Sequence, residues 1–105
     1  MKLPQGFISG ATAAGLKSNG ALDLTIIQNL GPKFFCTAVF TSNKVVAAPV
    51  IWSKQVASQG MARAIVLNSG GANACTGPQG FADTHETAEY VSKVLQVSSS
   101  DVLVC

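Results

Sequence analysis

The run Ala62-Arg-Ala-Ile-Val-Leu67 leads directly into Asn68-Ser-Gly-Gly-Ala-Asn-Ala-Cys-Thr-Gly-Pro-Gln79. The first part is apolar except for Arg63, the pattern of an interior strand. The second is a glycine-rich bend, and an amphipathic segment begins near Pro78. A buried strand that passes through such a bend into a helix places the chain in the mixed α/β (α+β) class, where bends of this kind often carry chemistry. Asn68, Ser69, Asn73 and Thr76 set short hydrogen-bonding side chains on the bend, each able to turn the backbone or to touch a ligand.

Beyond the bend the sequence predicts a long helix. Thr76 with Gln79 three residues later has the form of a capping box, and Pro78 falls in the first turn, where its missing N–H costs nothing. Phe81, Thr84, Ala88, Val91 and Leu95 recur at three- and four-residue steps and define an inward face. Asp83, Glu86, Glu89 and Lys93 take the solvent side. Phe81 is the expected anchor, worth about 3–5 kcal/mol on truncation to Ala if fully buried. Ser98-Ser-Ser100 is a short loop before a closing strand, Asp101-Val-Leu-Val-Cys105.

On the N-terminal side, Gly6 to Lys17 is rich in small residues and suits an extended segment packed closely against another layer. Ser18-Asn19-Gly20 is a turn signal, and Leu22 to Asn29 alternates as a half-buried strand. Leu30-Gly31-Pro32-Lys33 turns the chain into Phe34–Phe40, read as the second strand of an antiparallel hairpin. Val45–Ile51 is β-branched, but Pro49 lacks a ladder donor and demotes it to an edge or irregular strand. Ser53 is placed to cap a short helix through Gln59, with Gly60 as its stop.

Of the 105 residues 48% are hydrophobic and only 11% charged, against about 25% charged in ordinary soluble domains. That imbalance suggests that part of the surface is covered by another chain or by more of this one. The closing apolar strand is read the same way, as part of a longer protein, so that residues 1–105 form one partial domain. A net charge of +2 from scattered cations makes nucleic acid an unlikely partner. Early Pro4, Gln5 and Gly6 break any secretory core, and no run approaches the ~20 apolar residues of a membrane span. A cytoplasmic chain is expected, with no membrane partner. Cys36, Cys75 and Cys105 lack metal spacing, and buried free thiols are expected of Cys36 and Cys105.

Other constellations favour plain readings. The bend lacks the endings of phosphate or dinucleotide loops, so a structural turn or small-substrate pocket is preferred over nucleotide binding. Cys75 and His85 lack a third group to make a nucleophile and base, and read as a thiol and a surface histidine. Asp83, His85 and Glu86 point in different directions on a helix and do not converge on a metal. Trp52 reads as a packing or interface residue.

Gly6-Phe7, Ala13-Ala-Gly-Leu-Lys17, Ala38-Val-Phe-Thr-Ser-Asn43, Ala47-Ala-Pro-Val50 and above all Val66-Leu-Asn-Ser-Gly-Gly-Ala-Asn-Ala-Cys-Thr-Gly77 resemble, in order, the N-terminal part of the α chain of ornithine acetyltransferases, the glutamate N-acetyltransferases of arginine biosynthesis. The resemblance implies a layered sandwich of sheets and helices, here only its N-terminal portion. It implies a longer precursor that cuts itself before an internal threonine, giving α and β chains that stay together, commonly as a heterotetramer. The freed threonine takes acetyl from N-acetylornithine and passes it to glutamate, and bifunctional members also accept acetyl-CoA; no cofactor is implied. In the family a Ser-Thr-Gly stretch follows the Val-Cys seen here as Val104-Cys105, and its Thr and Gly form the oxyanion hole. That stretch and the nucleophile are expected beyond Cys105, so no catalytic residue falls in the chain, which is expected to be inert alone. Asn68, Asn73 and Thr76 are the candidates for the substrate pocket, with holding the bend as the alternative role. A non-catalytic relative or small-molecule-binding module sharing the fold is the competing reading.

Overall fold

The chain, whose residues 2–105 are described by a computed structural model, runs β1 (Phe7–Thr12), β2 (Leu24–Asn29), α1 (Ala48–Ala57), β3 (Ala64–Asn68), α2 (Gly77–Leu95), a 3-10 turn (Ser99–Asp101) and β4 (Val102–Val104). The strands form one sheet in the order β1-β2-β3-β4. The first two pairings are antiparallel; β3 and β4 are parallel, with α2 as the crossover between them. Parallel neighbours require such a crossover, which is why the apolar run, the bend and the helix occur in that order.

The core lies between this sheet and the two helices. Ala64 and Val66 from β3, Val102 and Val104 from β4, Trp52 and Val56 from α1, and Ala88 and Val91 from α2 are all buried together. Register puts Ile26 opposite Val66 and Gln28 opposite Ala64, so Leu24 and Ile26 share the helix-facing side and pack on that core. Phe81 only borders the core and is partly buried, whereas Trp52 is 9% exposed; the aromatic anchor sits on α1.

Three local expectations are corrected. Phe34–Phe40 does not pair with β2, because both edges of β2 are taken by β1 and β3. Only Phe35 bridges, to Met61, through the bonds Ala62 N–H to Phe34 O (3.0 Å) and Cys36 N–H to Gly60 O (3.0 Å), and the Arg63 guanidinium lies 4.1 Å from the Phe34 ring centre. Val45–Ile51 is not an edge strand: α1 begins at Ala48, with Pro49 in its first turn, where no N–H donor is required. Ser53 is therefore not a cap but a buried mid-helix residue.

β1 is exposed along its whole length, and the close packing against another layer expected of Gly6 to Lys17 is not made among the described residues. A residue that sequence patterning passes over organises its hairpin with β2. Asp23 is buried, its amide donates to Thr12 O (3.2 Å), and its carboxylate accepts the amides of Ala14 (2.6 Å), Leu16 (2.7 Å) and Lys17 (3.0 Å). No helix among the described residues is long and apolar enough to cross a membrane.

Candidate functional site

At the C-terminal ends of the parallel pair β3 and β4 the chain leaves a groove of about 530 Å³. The bend after β3 forms one wall, the first turn of α1 another, and Val104 and Cys105 close its end. Crevices outside the carboxyl ends of parallel strands are where open α/β sheets bind ligands, because successive loops diverge there and leave backbone and polar groups facing space. Its lining is mostly apolar, and among the described residues that line it none is charged; Ser53, Asn68, Asn73 and Cys105 are the polar groups.

The bend is held rigidly from behind. Asn73 donates through Nδ2 to Gly80 O (2.7 Å) and to Thr84 Oγ1 (3.0 Å), while its Oδ1 accepts the Thr76 hydroxyl. Its carbonyl also accepts the amide of Ala48 at 3.2 Å, joining the bend to the start of α1. Thr84, 2% exposed, donates in turn to Gly80 O at 2.9 Å. A Cβ on Gly80 would land on the Thr76 hydroxyl and Asn73 Oδ1, so glycine there makes room for the network.

The three candidates therefore separate. Asn68 and Asn73 both line the groove, but the side chain of Asn73 already makes three internal bonds. Thr76 lies on a smaller neighbouring groove with Cys75 and Phe81. The predicted capping box does not form: Thr76 makes no cap bond, and Gln79 Nε2 instead donates to Asp83 Oδ1 at 2.8 Å. Asn68 is exposed, and its amide donates to Cys105 O (3.0 Å) while the Cys105 amide donates to Val66 O (2.9 Å). These bonds continue the parallel ladder to the groove's rim.

Behind the bend, Ser69 donates its amide to Asp23 O at 2.9 Å. Gly70 is left-handed (φ +100°), and a Cβ there would meet Leu16 O at 3.3 Å and Lys17 Cγ at 3.0 Å. The loop that Asp23 clamps is thus packed against the groove wall. Backbone N–H groups, that of Ala14 foremost, outweigh the opposing effect of burial and hold the Asp23 carboxyl below its ordinary range.

The cysteines are less enclosed than their apolar surroundings suggest: Cys36 is half-buried, and Cys75 and Cys105 are exposed. His85 is a surface residue paired with Glu89 (3.4 Å), and its ring lies 5.0 Å from that of Trp52. Chemically the groove can hold and orient a small molecule, with Asn68 at its wall and the Cys105 thiol at its end. Sequence reasoning missed Asp23 and the structural role of Ser53. A carboxylate three residues past the Ser18-Asn19-Gly20 turn, between Leu22 and Leu24, was the only local sign of the first; nothing local signals the second.

The fold that carries this groove is shared with known proteins. The model of the ArgJ family matches residues 8–105. The arginine biosynthesis bifunctional protein ArgJ of Streptomyces avermitilis is 55% identical over 100 residues, 95% of this chain and 26% of that protein. Its counterpart in Thermobifida fusca is 49% identical over 102 residues, 97% of this chain and 27% of the relative. Among solved structures, the ornithine acetyltransferase of Mycobacterium tuberculosis in complex with ornithine superposes with a TM-score of 0.96 at 52% identity, covering 97% of this chain and 55% of that one. The ArgJ structure of Bacillus halodurans gives 0.89 at 32% identity, with 95% and 52% covered. The chain thus spans about a quarter of the length of these curated relatives, and it belongs to the ArgJ family.

Proposed function

We propose that this chain forms one wall of the acetyl-transfer site of an ornithine acetyltransferase in arginine biosynthesis. The observation that carries the reading is the family match across residues 8–105, joined to a TM-score of 0.96 with an ornithine acetyltransferase that holds ornithine. The groove supports it: at about 530 Å³ it falls within the size range of small-molecule sites, roughly 300–1,000 Å³.

In this reading acetyl leaves N-acetylornithine for a threonine hydroxyl, releasing ornithine, and glutamate then takes it to give N-acetylglutamate. The threonine is an N-terminal nucleophile freed by self-cleavage of a longer precursor. Its own α-amino group, with an intrinsic pKa of about 8, takes the hydroxyl proton. The nucleophile and the oxyanion donors belong to segments other than residues 1–105, and the rest of the α chain and the β chain are the partners, commonly in a heterotetramer in the cytoplasm. The share of this chain is to shield the reacting acyl group from water and to set the shape of one flank. Acetyl-CoA is a second donor in keeping with the "bifunctional" name of the relatives.

The test is acetyl transfer by the assembled, full-length gene product, followed as N-acetylglutamate formed from N-acetylornithine and glutamate. Turnover by the assembled enzyme and none by the 105-residue chain is the expected result. An assembled enzyme without turnover overturns the acetyltransferase reading, and turnover by the chain alone overturns the placement of the chemistry elsewhere.

A further inference from the structure

Among the described residues no strand pairs the outer edge of β4, yet its outward peptide groups are all satisfied. The Val102 amide donates to Ser99 O, and Val102 O accepts the Trp52 indole N–H at 2.8 Å. At Val104 a single hydroxyl serves both groups: Ser53 Oγ accepts the Val104 amide (3.0 Å) and donates to Val104 O (2.7 Å). Two side chains of α1 therefore stand where a fifth strand would pair, which closes the edge to further strand addition. The two positions differ in one respect: Ser53, Val104 and Cys105 line the groove, while Trp52 and Val102 do not.

We propose that Ser53 is a positioning residue of the acetyl-transfer site, fixing the Val104 peptide and through it the Val104–Cys105 end of the groove. The inference rests on the acetyltransferase reading above. On its inner side this end is held by the Cys105 amide to Val66 O and the Asn68 amide to Cys105 O. On its outer side the Ser53 hydroxyl fixes Val104. Without it, two buried peptide groups lose their partner, and among the described residues only β3 still hydrogen-bonds the Val104–Cys105 segment. A wall that shifts by a fraction of an ångström misaligns a bound acyl group, and misalignment lowers turnover more than affinity.

The test uses the assembled enzyme with Ser53→Ala, Ser53→Thr and Trp52→Phe, reading kcat, KM for N-acetylornithine and thermal midpoint. Ser53→Ala is expected to lower kcat about five- to tenfold, the worth of a lost neutral hydrogen bond, with KM changed less. Ser53→Thr keeps the hydroxyl and restores kcat; Trp52→Phe lowers the midpoint and leaves kcat and KM in place. Should Ser53→Ala fail to assemble, Ser53→Cys, whose thiol is a weaker partner, takes its place with an intermediate kcat expected. Wild-type kcat and KM in Ser53→Ala or Ser53→Cys, or a Ser53→Thr as impaired as Ser53→Ala, overturn the inference whatever the midpoint does. Wild-type enzyme that transfers no acetyl removes the acetyltransferase reading and this inference with it, an outcome distinct from an active wild type matched by its Ser53→Ala variant.

Discussion

At the scale of single residues, Asn73 and Gly80 show how a motif that looks like a ligand site is first of all a joint. Asn73 ties the bend to α2 through Gly80 O and Thr84 Oγ1. Replacing it with Ala leaves those buried groups short of a partner and should cost about 1–3 kcal/mol, read from denaturant unfolding of the assembled enzyme. Loss of turnover at unchanged stability would instead assign Asn73 to the substrate. Gly80→Ala is a sharper test. Inside a helix this change ordinarily stabilises by up to about 1 kcal/mol. Here the new methyl group meets the Thr76 hydroxyl and Asn73, so the variant should be less stable than wild type. Asp23 makes a prediction in pH. Its folded-state pKa is depressed, chiefly by the Ala14 amide, so its contribution is complete above the unfolded value of about 3.9 and fades as pH falls through the folded one. The thermal midpoint of wild type should therefore fall towards that of Asp23→Asn below about pH 4, while a gap persists at pH 7. A constant gap across that range would contradict the assignment.

At the scale of elements, the contrast is between α2, which is written locally, and α1, which is not. The inward stripe of α2 is realised at Thr84, Ala88 and Val91, all buried, because three- and four-residue spacing survives any tertiary context. Val45–Ile51 carries a β-branched run, and on propensity it reads as strand; a helix wins because Pro49 fits a first turn and because Trp52 and Val56 gain burial against β4 and α2. The aromatic anchor moves accordingly. Trp52→Ala should cost about 3–5 kcal/mol, and Phe81→Ala less than that, since Phe81 is only partly buried. Thermal or denaturant unfolding that ranks Phe81→Ala as the costlier change would count against this packing.

Over the whole molecule, the helices cover one side of the sheet, and large apolar side chains remain in the open. Phe35 is 85% and Val39 98% exposed, with Leu30 and Val45 nearby in sequence also exposed. Large apolar side chains exposed in such number favour association. The purified 105-residue chain should self-associate with rising concentration in sedimentation experiments, and Phe35→Glu with Val39→Glu should reduce that association. A chain that stays monomeric at high concentration would refute the prediction.

Local signals in the amino-acid order determined the strand at Ala64–Asn68, the glycine-rich bend, the periodic helix behind it and the strand at Leu24–Asn29, because hydrophobic period and turn chemistry act over a few residues. The order of the blocks determined the family. Only tertiary structure decided which segment pairs with Leu24–Asn29, that Ala48–Ala57 is a helix, and that Asn73 faces inward to Gly80 and Thr84. It also decided that the Ser53 hydroxyl closes a sheet edge 51 residues away. Each of those outcomes depends on which distant peptide groups and apolar faces compete for the same partner, and that competition leaves no trace in local spacing.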